Sequence, residues 1–243
     1  MSFYYKGFED IPWEAEEWHG YKYFTNRHTD GGAWKWHNQI LMAVCILGGN
    51  KKWKRALDWG AGDGGLGMAL LGENLVDHCT FMDHYQEACN RCNYNLEYNK
   101  ITNAEVICEN RVKNLTCDKF DLVIANPPHH RICELYKMYD IGWLKPNVYS
   151  PQNYKKAKKQ IDKDKPHRHF DFNWQTHIDF YQDIADYLED GADLMMFENG
   201  QKSNPLHWEW GDLPKGLEIV QWVDSSHIPT LEDHYVLHLK YKI

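Results

Sequence analysis

The sequence predicts an α/β fold built around a mostly parallel β-sheet. Short apolar runs typical of buried strands alternate with segments of helical period along most of the 243 residues. A glycine-rich turn at residues 60–65 follows the first of these strands, and Asn126-Pro127-Pro128 follows a later one. Alternating strands and helices form parallel sheets with right-handed crossovers, so we expect both features at the carboxyl edge of one sheet.

The first predicted element is a helix over residues 33–47. Apolar residues recur at helical spacing between Trp34 and Leu47. Asp30 lies where an N-cap is expected, and Gly48 begins the segment that ends the helix. Nothing upstream shows a clear period.

Strands and helices then alternate, each bounded by turn residues. The predicted strands are residues 55–59, 78–82, 104–108, 120–125, 192–197, 217–223 and 235–242, and the predicted helices are residues 66–71, 86–99 and 174–188. Gly191 is expected to stop the last helix. The final two strands are joined by a turn-rich bridge, so we expect them to form an antiparallel pair.

Composition narrows the class of protein. The chain has 27 Lys and Arg against 35 Asp and Glu, a formal charge of −8, and 43% of its residues are hydrophobic. This excludes global disorder and disfavours a general nucleic-acid coat protein. The longest apolar run, residues 40–47, is shorter than the roughly 20 residues of a membrane helix. With 7 Cys and no signal-peptide pattern at the start, we expect a reduced, cytoplasmic protein.

The glycine turn, residues 60–65, has two interpretations. It fits G-x-G-x-x-G, a pattern of dinucleotide-binding proteins, which place a pyrophosphate at the following helix. Asp58 precedes Gly60 by two residues and disfavours this interpretation, because a carboxylate in the crevice would repel a pyrophosphate. It suits a cofactor that carries an ammonium and a sulfonium group. Asp83, at the end of the next predicted strand, can accept hydrogen bonds from both ribose hydroxyls of either cofactor.

Asp58, Gly60, Gly62 and Gly64 together resemble the first motif of class I S-adenosylmethionine-dependent methyltransferases. The resemblance implies a Rossmann-like class I methyltransferase fold with a mostly parallel sheet and a C-terminal antiparallel strand pair. It also implies S-adenosylmethionine as the cofactor, with these four residues and Ala61 lying against its methionine part.

The same resemblance assigns the nucleoside end of the cofactor to positions after the next two strands. Asp83 would hold the ribose, and His84 would line the adenine. The family commonly places an acidic residue after the third strand, where it accepts from the adenine amino group. Glu109 and Asn110 both follow that strand here, and the choice between them stays open, with Asn110 the expected contact.

The segment Asn126-Pro127-Pro128-His129 is the most specific feature of the sequence. Two consecutive prolines fix φ and lack N–H donors, so the strand ends in a rigid shape with free carbonyls. The side-chain oxygen of Asn126 and the carbonyl of Pro127 can hold both hydrogens of a planar NH₂ group. That grip directs the nitrogen lone pair toward a methyl donor.

This segment resembles the Asn-Pro-Pro-aromatic motif of the amino-methylating branch, which includes adenine, guanine and release-factor glutamine methyltransferases. The resemblance implies catalytic roles for Asn126, Pro127, Pro128 and His129, with Asn126 also touching the cofactor. His129 stands where those enzymes usually have Tyr, Phe or Trp, and its flat ring can stack or hydrogen-bond. The strand end at Glu198 is also similar to that of the release-factor enzymes.

We expect residues 1–50 to form an N-terminal helical extension or lid, and residues 51–243 the methyltransferase domain, with an insertion at about 130–171. Residues 154–169 carry a net charge of +5 and lie where they can reach an anionic partner. We therefore expect a macromolecular substrate, either protein or nucleic acid. We also expect no metal site and no association with a membrane. The alternatives are a small-molecule methyltransferase, an NAD-dependent oxidoreductase and a non-catalytic cofactor-binding module.

Overall fold

A computed structural model describes residues 14–25, 34–49, 51–127, 175–199, 213–224 and 234–243. Nine strands and four α-helices lie in these ranges. In chain order they are β1 (Glu14–Trp18), β2 (Tyr21–Thr25), α1 (Trp34–Gly48), β3 (Trp53–Trp59), α2 (Gly65–Gly72), β4 (Val76–Asp83), α3 (Gln86–Tyr98), β5 (Ala104–Cys108), β6 (Phe120–Ala125), α4 (Gln175–Ile184), β7 (Leu188–Asn199), β8 (Leu217–Asp224) and β9 (His234–Tyr241).

Seven of the described strands form one sheet in the order β5-β4-β3-β6-β7-β9-β8. The first five of these run parallel, while β9 is antiparallel to both of its neighbours. The predicted fold class is therefore confirmed, including the antiparallel C-terminal pair. The strand order reverses between β3 and β6, and open α/β sheets bind ligands at such switch points. The glycine turn leaves β3 and Asn126 leaves β6 at this point.

Apolar side chains cover both faces of the sheet. One cluster joins α1, α2 and the β1–β2 hairpin to one face, through residues such as Ile40, Leu70 and Phe81. The other places α4 on the opposite face, through residues such as Phe180 and Ile184. The parallel strands are apolar over most of their length because both of their faces are covered.

Two features differ from the sequence-based expectations. Gly191 does not stop a helix: α4 ends at Ile184, and Gly191 lies inside β7 with φ +77°. The pairing of β6 with β7 shifts register between Phe120 and Leu122, so this glycine supplies the left-handed backbone of an irregularity in the strand. The β1–β2 hairpin was not predicted either, because its aromatic and charged residues show no clear alternation.

Within the described ranges, no helix combines the length and the apolar character needed to cross a bilayer.

Candidate functional site

The backbone of the glycine turn is fixed against β4. The N–H groups of Gly60 and Ala61 both donate to the carbonyl of Met82, at 2.8 and 3.0 Å. Gly60 has φ +71°, and a Cβ added there would meet no atom within 4 Å. The turn therefore leaves open space at Gly60, as a site that receives a ligand against its backbone requires.

Gly64 is needed for a different reason, which is the close packing of neighbouring side chains. It has φ +86°, and a Cβ there would lie 2.6 Å from Cys92 Sγ and 3.3 Å from the ring of Phe81. The absence of a side chain at Gly64 thus lets α3 and β4 pack against the turn, just before α2 begins at Gly65. Sequence reasoning assigned Gly64 to the cofactor, whereas the described contacts explain it by packing.

Asp58, the last residue but one of β3, is buried with 2% exposure. Its Oδ2 accepts a hydrogen bond of 2.8 Å from the backbone N–H of Gly67 in the first turn of α2. Burial raises the pKa of Asp58 to about 7, the Gly67 N–H opposes the rise, and the charge of Asp83 adds to it. The carboxylate lies between β3 and the start of α2, more deeply than the open crevice position that we expected.

Asp83 ties the other side of the turn to the end of β4. Its Oδ2 accepts from the N–H of Gly62 at 2.9 Å, and its Oδ1 accepts from the N–H of Tyr85 at 2.8 Å. Each carboxylate oxygen has a further acceptor site, and the side chain keeps 13% of its surface exposed. Asp83 can therefore organise the turn and still accept a hydrogen bond from a ligand hydroxyl.

Residues after β4 and β5 border the same edge. His84 is exposed, with its Nδ1 3.7 Å from Asp83 Oδ1. The Glu109 N–H donates to the carbonyl of Asp83 at 2.9 Å, while the Glu109 carboxylate accepts from Asn114 Nδ2 at 3.0 Å. Asn110 is exposed. The Glu109 carboxylate keeps acceptor sites beyond the one that Asn114 uses, and Asn110 is the more exposed of the two residues.

Asn126 and Pro127 lie beside the glycine turn. The register of β3 with β6 pairs Trp59 with Ala125, so the residues that follow, Gly60 and Asn126, leave the sheet side by side. Asn126 is half-buried and Pro127 is buried. Pro128, His129 and the basic stretch 154–169 lie outside the described residues.

A buried cluster borders this edge on the α4 side and was not expected in the site. The Trp59 indole stacks on Phe180 at 4.0 Å between centroids and meets the ring of His177 edge-on at 6.1 Å. His177 Nε2 lies 3.4 Å from Glu198 Oε2, and both side chains are fully buried. The sequence signals for this cluster were the position of Trp59 between Asp58 and Gly60 and the strand end at Glu198.

Comparisons with known proteins agree with this arrangement. Residues 39–140 match the family model of the methyltransferase small domain. A release factor glutamine methyltransferase from Francisella tularensis subsp. tularensis is 29% identical over 116 residues, which cover 45% of this chain and 41% of that protein. The chain therefore spans about two fifths of the length of this curated relative.

Solved structures share the fold at low identity. The ribosomal protein L11 methylase of Lactobacillus delbrueckii subsp. bulgaricus has a TM-score of 0.54 at 12% identity, covering 86% of this chain and 80% of that one. TrmN from Thermus thermophilus has a TM-score of 0.52 at 12% identity, covering 83% and 48% of the two chains. The N-methyltransferase NodS of Bradyrhizobium japonicum WM9 has 0.51 at 12%, covering 88% and 99%.

The sheet order and the ligand edge define the class I methyltransferase fold. Residues 39–140, which match the family model of the methyltransferase small domain, contain the glycine turn, Asp83 and Asn126. The cofactor indicated by these matches is S-adenosylmethionine. The open backbone at Gly60 and the partly exposed carboxylate of Asp83 fit such a group.

Proposed function

We propose that this protein is an S-adenosylmethionine-dependent methyltransferase that acts on a planar amino nitrogen. The observation that carries the proposal is the pairing of Trp59 with Ala125, which brings the glycine turn and Asn126-Pro127 side by side at the switch point of the sheet. A cofactor seated on the turn and a nitrogen held by Asn126 would then be neighbours, and proximity of this kind supplies much of the rate of a group transfer.

The cofactor, when bound, supplies a methyl group activated by its sulfonium charge. The backbone of the turn at Gly60, Ala61 and Gly62 would lie against the methionine part. Asp83 would accept from the ribose hydroxyls, since its carboxylate keeps acceptor sites beyond those used by Gly62 and Tyr85. Asp58 would contribute negative charge beneath the turn.

At the adenine end we propose Asn110, with His84 beside it. Both side chains are exposed at the ends of neighbouring strands β5 and β4. The greater exposure of Asn110 supports its choice over Glu109.

Asn126 and Pro127 would hold the target nitrogen through the side-chain amide oxygen and the backbone carbonyl. Two acceptors fix a planar NH₂ group in one orientation and favour the positive charge that develops on nitrogen during attack. The motif assigns Pro128 a rigid backbone and His129 a flat ring against the target. The N–C bond would form as the C–S bond of the methyl donor breaks, and the proton on nitrogen would pass to solvent water, so the chemistry asks for orientation more than for a strong base.

The start of α2 argues against the dinucleotide alternative. A dinucleotide-binding turn offers the N–H groups of the following helix to a pyrophosphate. Here the Asp58 carboxylate already accepts from the N–H of Gly67 in that first turn. A second anion at the same place would be repelled by Asp58, which supports a cofactor of positive charge.

For the substrate we propose a macromolecule: the glutamine side chain of a protein, or adenine or guanine of a nucleic acid. The similarity to a release factor glutamine methyltransferase supports a protein substrate. The net charge of +5 at residues 154–169 supports an anionic substrate such as RNA. A small-molecule substrate remains the second candidate because His129 replaces the usual aromatic. We also propose residues 1–50 as an N-terminal extension and about 130–171 as an insertion in the domain.

Calorimetry with S-adenosylhomocysteine and with NAD tests the cofactor. We expect the first to bind and the second not to bind, and the reverse result would overturn the proposal. Asn126→Ala should then lose turnover while keeping its affinity for S-adenosylhomocysteine. Asn103→Ala is the matched control. Asn103 is exposed and donates to the carbonyl of Asp77 at the amino ends of β4 and β5, the edge of the sheet opposite to the site. Loss of cofactor affinity in Asn126→Ala would give Asn126 a structural role instead.

A further inference from the structure

We infer that the β1–β2 hairpin positions the glycine turn for its ligand, through Thr25 and Asp63. This inference rests on the proposed function, since it concerns the same turn. The carrying observation is a hydrogen bond of 2.8 Å in which Thr25 Oγ1 donates to Asp63 Oδ2, with both residues fully buried. Asp63 is the central polar residue of the turn, between Gly62 and Gly64.

The hairpin contacts the turn at two further places. The Trp18 indole N–H donates to the carbonyl of Gly65 at 2.7 Å. A Cβ added at Gly65 would lie 2.9 Å from the ring of Tyr23, which shows how closely β2 packs there. Thr25 therefore holds the turn at Asp63, and Trp18 and Tyr23 contact Gly65, where the turn passes into α2. A turn rich in glycine has high backbone freedom, and such contacts reduce it.

Asn95 of α3 and Asn99, the C-cap residue of that helix, hold the hairpin in place. Asn95 accepts from the N–H of Phe24 at 2.9 Å and donates to its carbonyl at 3.0 Å. Asn99 does the same with Lys22, at 2.8 Å in both directions. These side-chain amides occupy the outer edge of β2, much as a neighbouring strand would. They are one helical turn apart, so they meet alternate residues of the strand.

Asn95 also joins the hairpin to the turn itself. Its side-chain NH₂ donates to the carbonyl of Asp63 at 2.9 Å as well as to that of Phe24. Asp63 is thus held from the hairpin through its carboxylate and from α3 through its carbonyl. Loss of the Thr25 hydroxyl would leave a buried carboxylate with one donor fewer, and the backbone would shift to compensate.

The contacts between the hairpin and the glycine turn should affect the affinity for the cofactor. If the hairpin selects the turn conformation that binds the cofactor, removal of the Thr25 hydroxyl weakens binding, because part of the binding energy is then spent on ordering the turn. The ordering itself should also be visible without any ligand. The N–H of Gly62 bonds to Asp83, and that of Gly64 bonds to the Ala61 carbonyl, so exchange of these two amides reports on the folded turn.

The test compares three variants. Thr25→Val removes the hydroxyl at nearly constant shape, and Thr25→Ser keeps it. Asp193→Asn is the control for lost stability, because Asp193 bonds to Trp53 at the amino end of β3, the opposite edge of the sheet. Calorimetry with S-adenosylhomocysteine measures affinity, hydrogen exchange without ligand measures protection of the Gly62 and Gly64 amides, and thermal unfolding ranks stability.

We expect Thr25→Val to bind about five- to tenfold more weakly, as the loss of one buried hydrogen bond allows. Its Gly62 and Gly64 amides should exchange faster, while Thr25→Ser stays close to the natural protein in both measurements. Asp193→Asn should unfold at a lower temperature with unchanged affinity and unchanged protection of the turn. Natural affinity and protection in Thr25→Val, or equal losses in Asp193→Asn, would overturn the inference. If the natural protein does not bind S-adenosylhomocysteine, the proposed cofactor is wrong, and the exchange measurement still decides whether the hairpin orders the turn.

Discussion

The carboxylate of Asp58 accepts a hydrogen bond of 2.8 Å from the backbone N–H of Gly67 and thereby joins the end of β3 to the first turn of α2. Burial raises its pKa to about 7, so its charge changes in the physiological range. This contact is one of several that fix the glycine turn, and it places a titrating negative charge beneath the proposed cofactor site.

The first prediction concerns pH. The folded-state pKa of Asp58 lies above its ordinary value, so without cofactor the contribution of this group to folding stability is lost as pH rises through about 7. Ionised Asp58 attracts the sulfonium of S-adenosylmethionine, whereas S-adenosylhomocysteine lacks that charge. From pH 6 to pH 8 we expect affinity for the first, relative to the second, to rise about three- to tenfold.

Calorimetry with both compounds at each pH measures this ratio, in which effects on their shared ammonium group cancel. Asp58→Asn should give a ratio that does not change with pH. A ratio that is flat in the natural protein would show that Asp58 does not sense the cofactor charge.

The second prediction separates two glycines of the turn. Gly64→Ala forces a Cβ to 2.6 Å from Cys92 Sγ at a positive φ, so we expect a loss of about 2–3 kcal/mol in the free energy of unfolding. Gly60→Ala meets no atom within 4 Å and incurs only the backbone strain, about 1–2 kcal/mol. Its Cβ instead enters the space left for the ligand, so it should weaken S-adenosylhomocysteine binding more than Gly64→Ala does. Urea unfolding measures the stability of the two variants, and calorimetry measures their affinity for S-adenosylhomocysteine. If the same variant were the more impaired in both measurements, the two glycines would not have the separate roles proposed.

The third prediction concerns the charge cluster around the buried carboxylate of Asp193, at the opposite edge of the sheet. Asp193 accepts from Lys51 Nζ at 2.7 Å and from Trp53 Nε1 at 2.9 Å, and it lies 3.0 Å from His238 Nε2. Burial alone would raise the pKa of Asp193, but the bonds from His238, Lys51 and Trp53 hold it well below its usual range. Its contribution to stability is therefore complete above the unfolded pKa of 3.8 and is lost as pH falls through the depressed folded value.

Asp193→Asn should lower the free energy of unfolding by about 2–4 kcal/mol at pH 7, and by less at pH 3. Urea titrations at both pH values measure this difference. Asp118→Asn, at a side chain with 89% exposure, serves as the control and should change little. An equal loss for Asp193→Asn at both pH values would mean that the carboxylate charge contributes nothing.

The fourth prediction concerns the buried pair His177 and Glu198, which lie 3.4 Å apart with no exposed surface. Glu198→Ala removes one partner and leaves a cavity beside His177 and Tyr235, so we expect a loss of about 3 kcal/mol or more in stability. Glu218→Ala is the matched control, because Glu218 pairs with Lys242 at the surface with 60% exposure. Chemical denaturation of the two variants decides the matter, and similar midpoints would show that the buried pair adds no stability.

Much of the fold followed from the sequence because its strands are apolar runs bounded by turn residues. β5 and β6 have the predicted bounds, and the strands around them differ by a few residues. The β1–β2 hairpin was not predicted, and the reason is physical. Its outer edge is held by Asn95 and Asn99, more than 70 positions away in the chain, and no local period records such contacts.

The candidate site likewise contains residues that could be predicted from the sequence and residues that could not. Asp83, Gly60 and Asn126 were found because strand ends and glycine turns leave local signatures. The pairing of His177 with Glu198 and the bond from Thr25 to Asp63 depend on how distant elements pack, and neither residue type nor spacing indicates them. The depth of Asp58 was missed for a similar reason, since burial beneath α2 is a property of the packed turn.

Transfer of a labelled methyl group tests the central claim most directly. The protein is incubated with methyl-labelled S-adenosylmethionine and, separately, with release factors, tRNA, rRNA and DNA, and the product is located by mass spectrometry. We predict label on a side-chain amide or a base amino nitrogen in one of these pools, and no label with Asn126→Ala. Label on carbon or oxygen, or equal labelling by Asn126→Ala, would contradict the proposal that Asn126 holds a planar amino nitrogen for methylation.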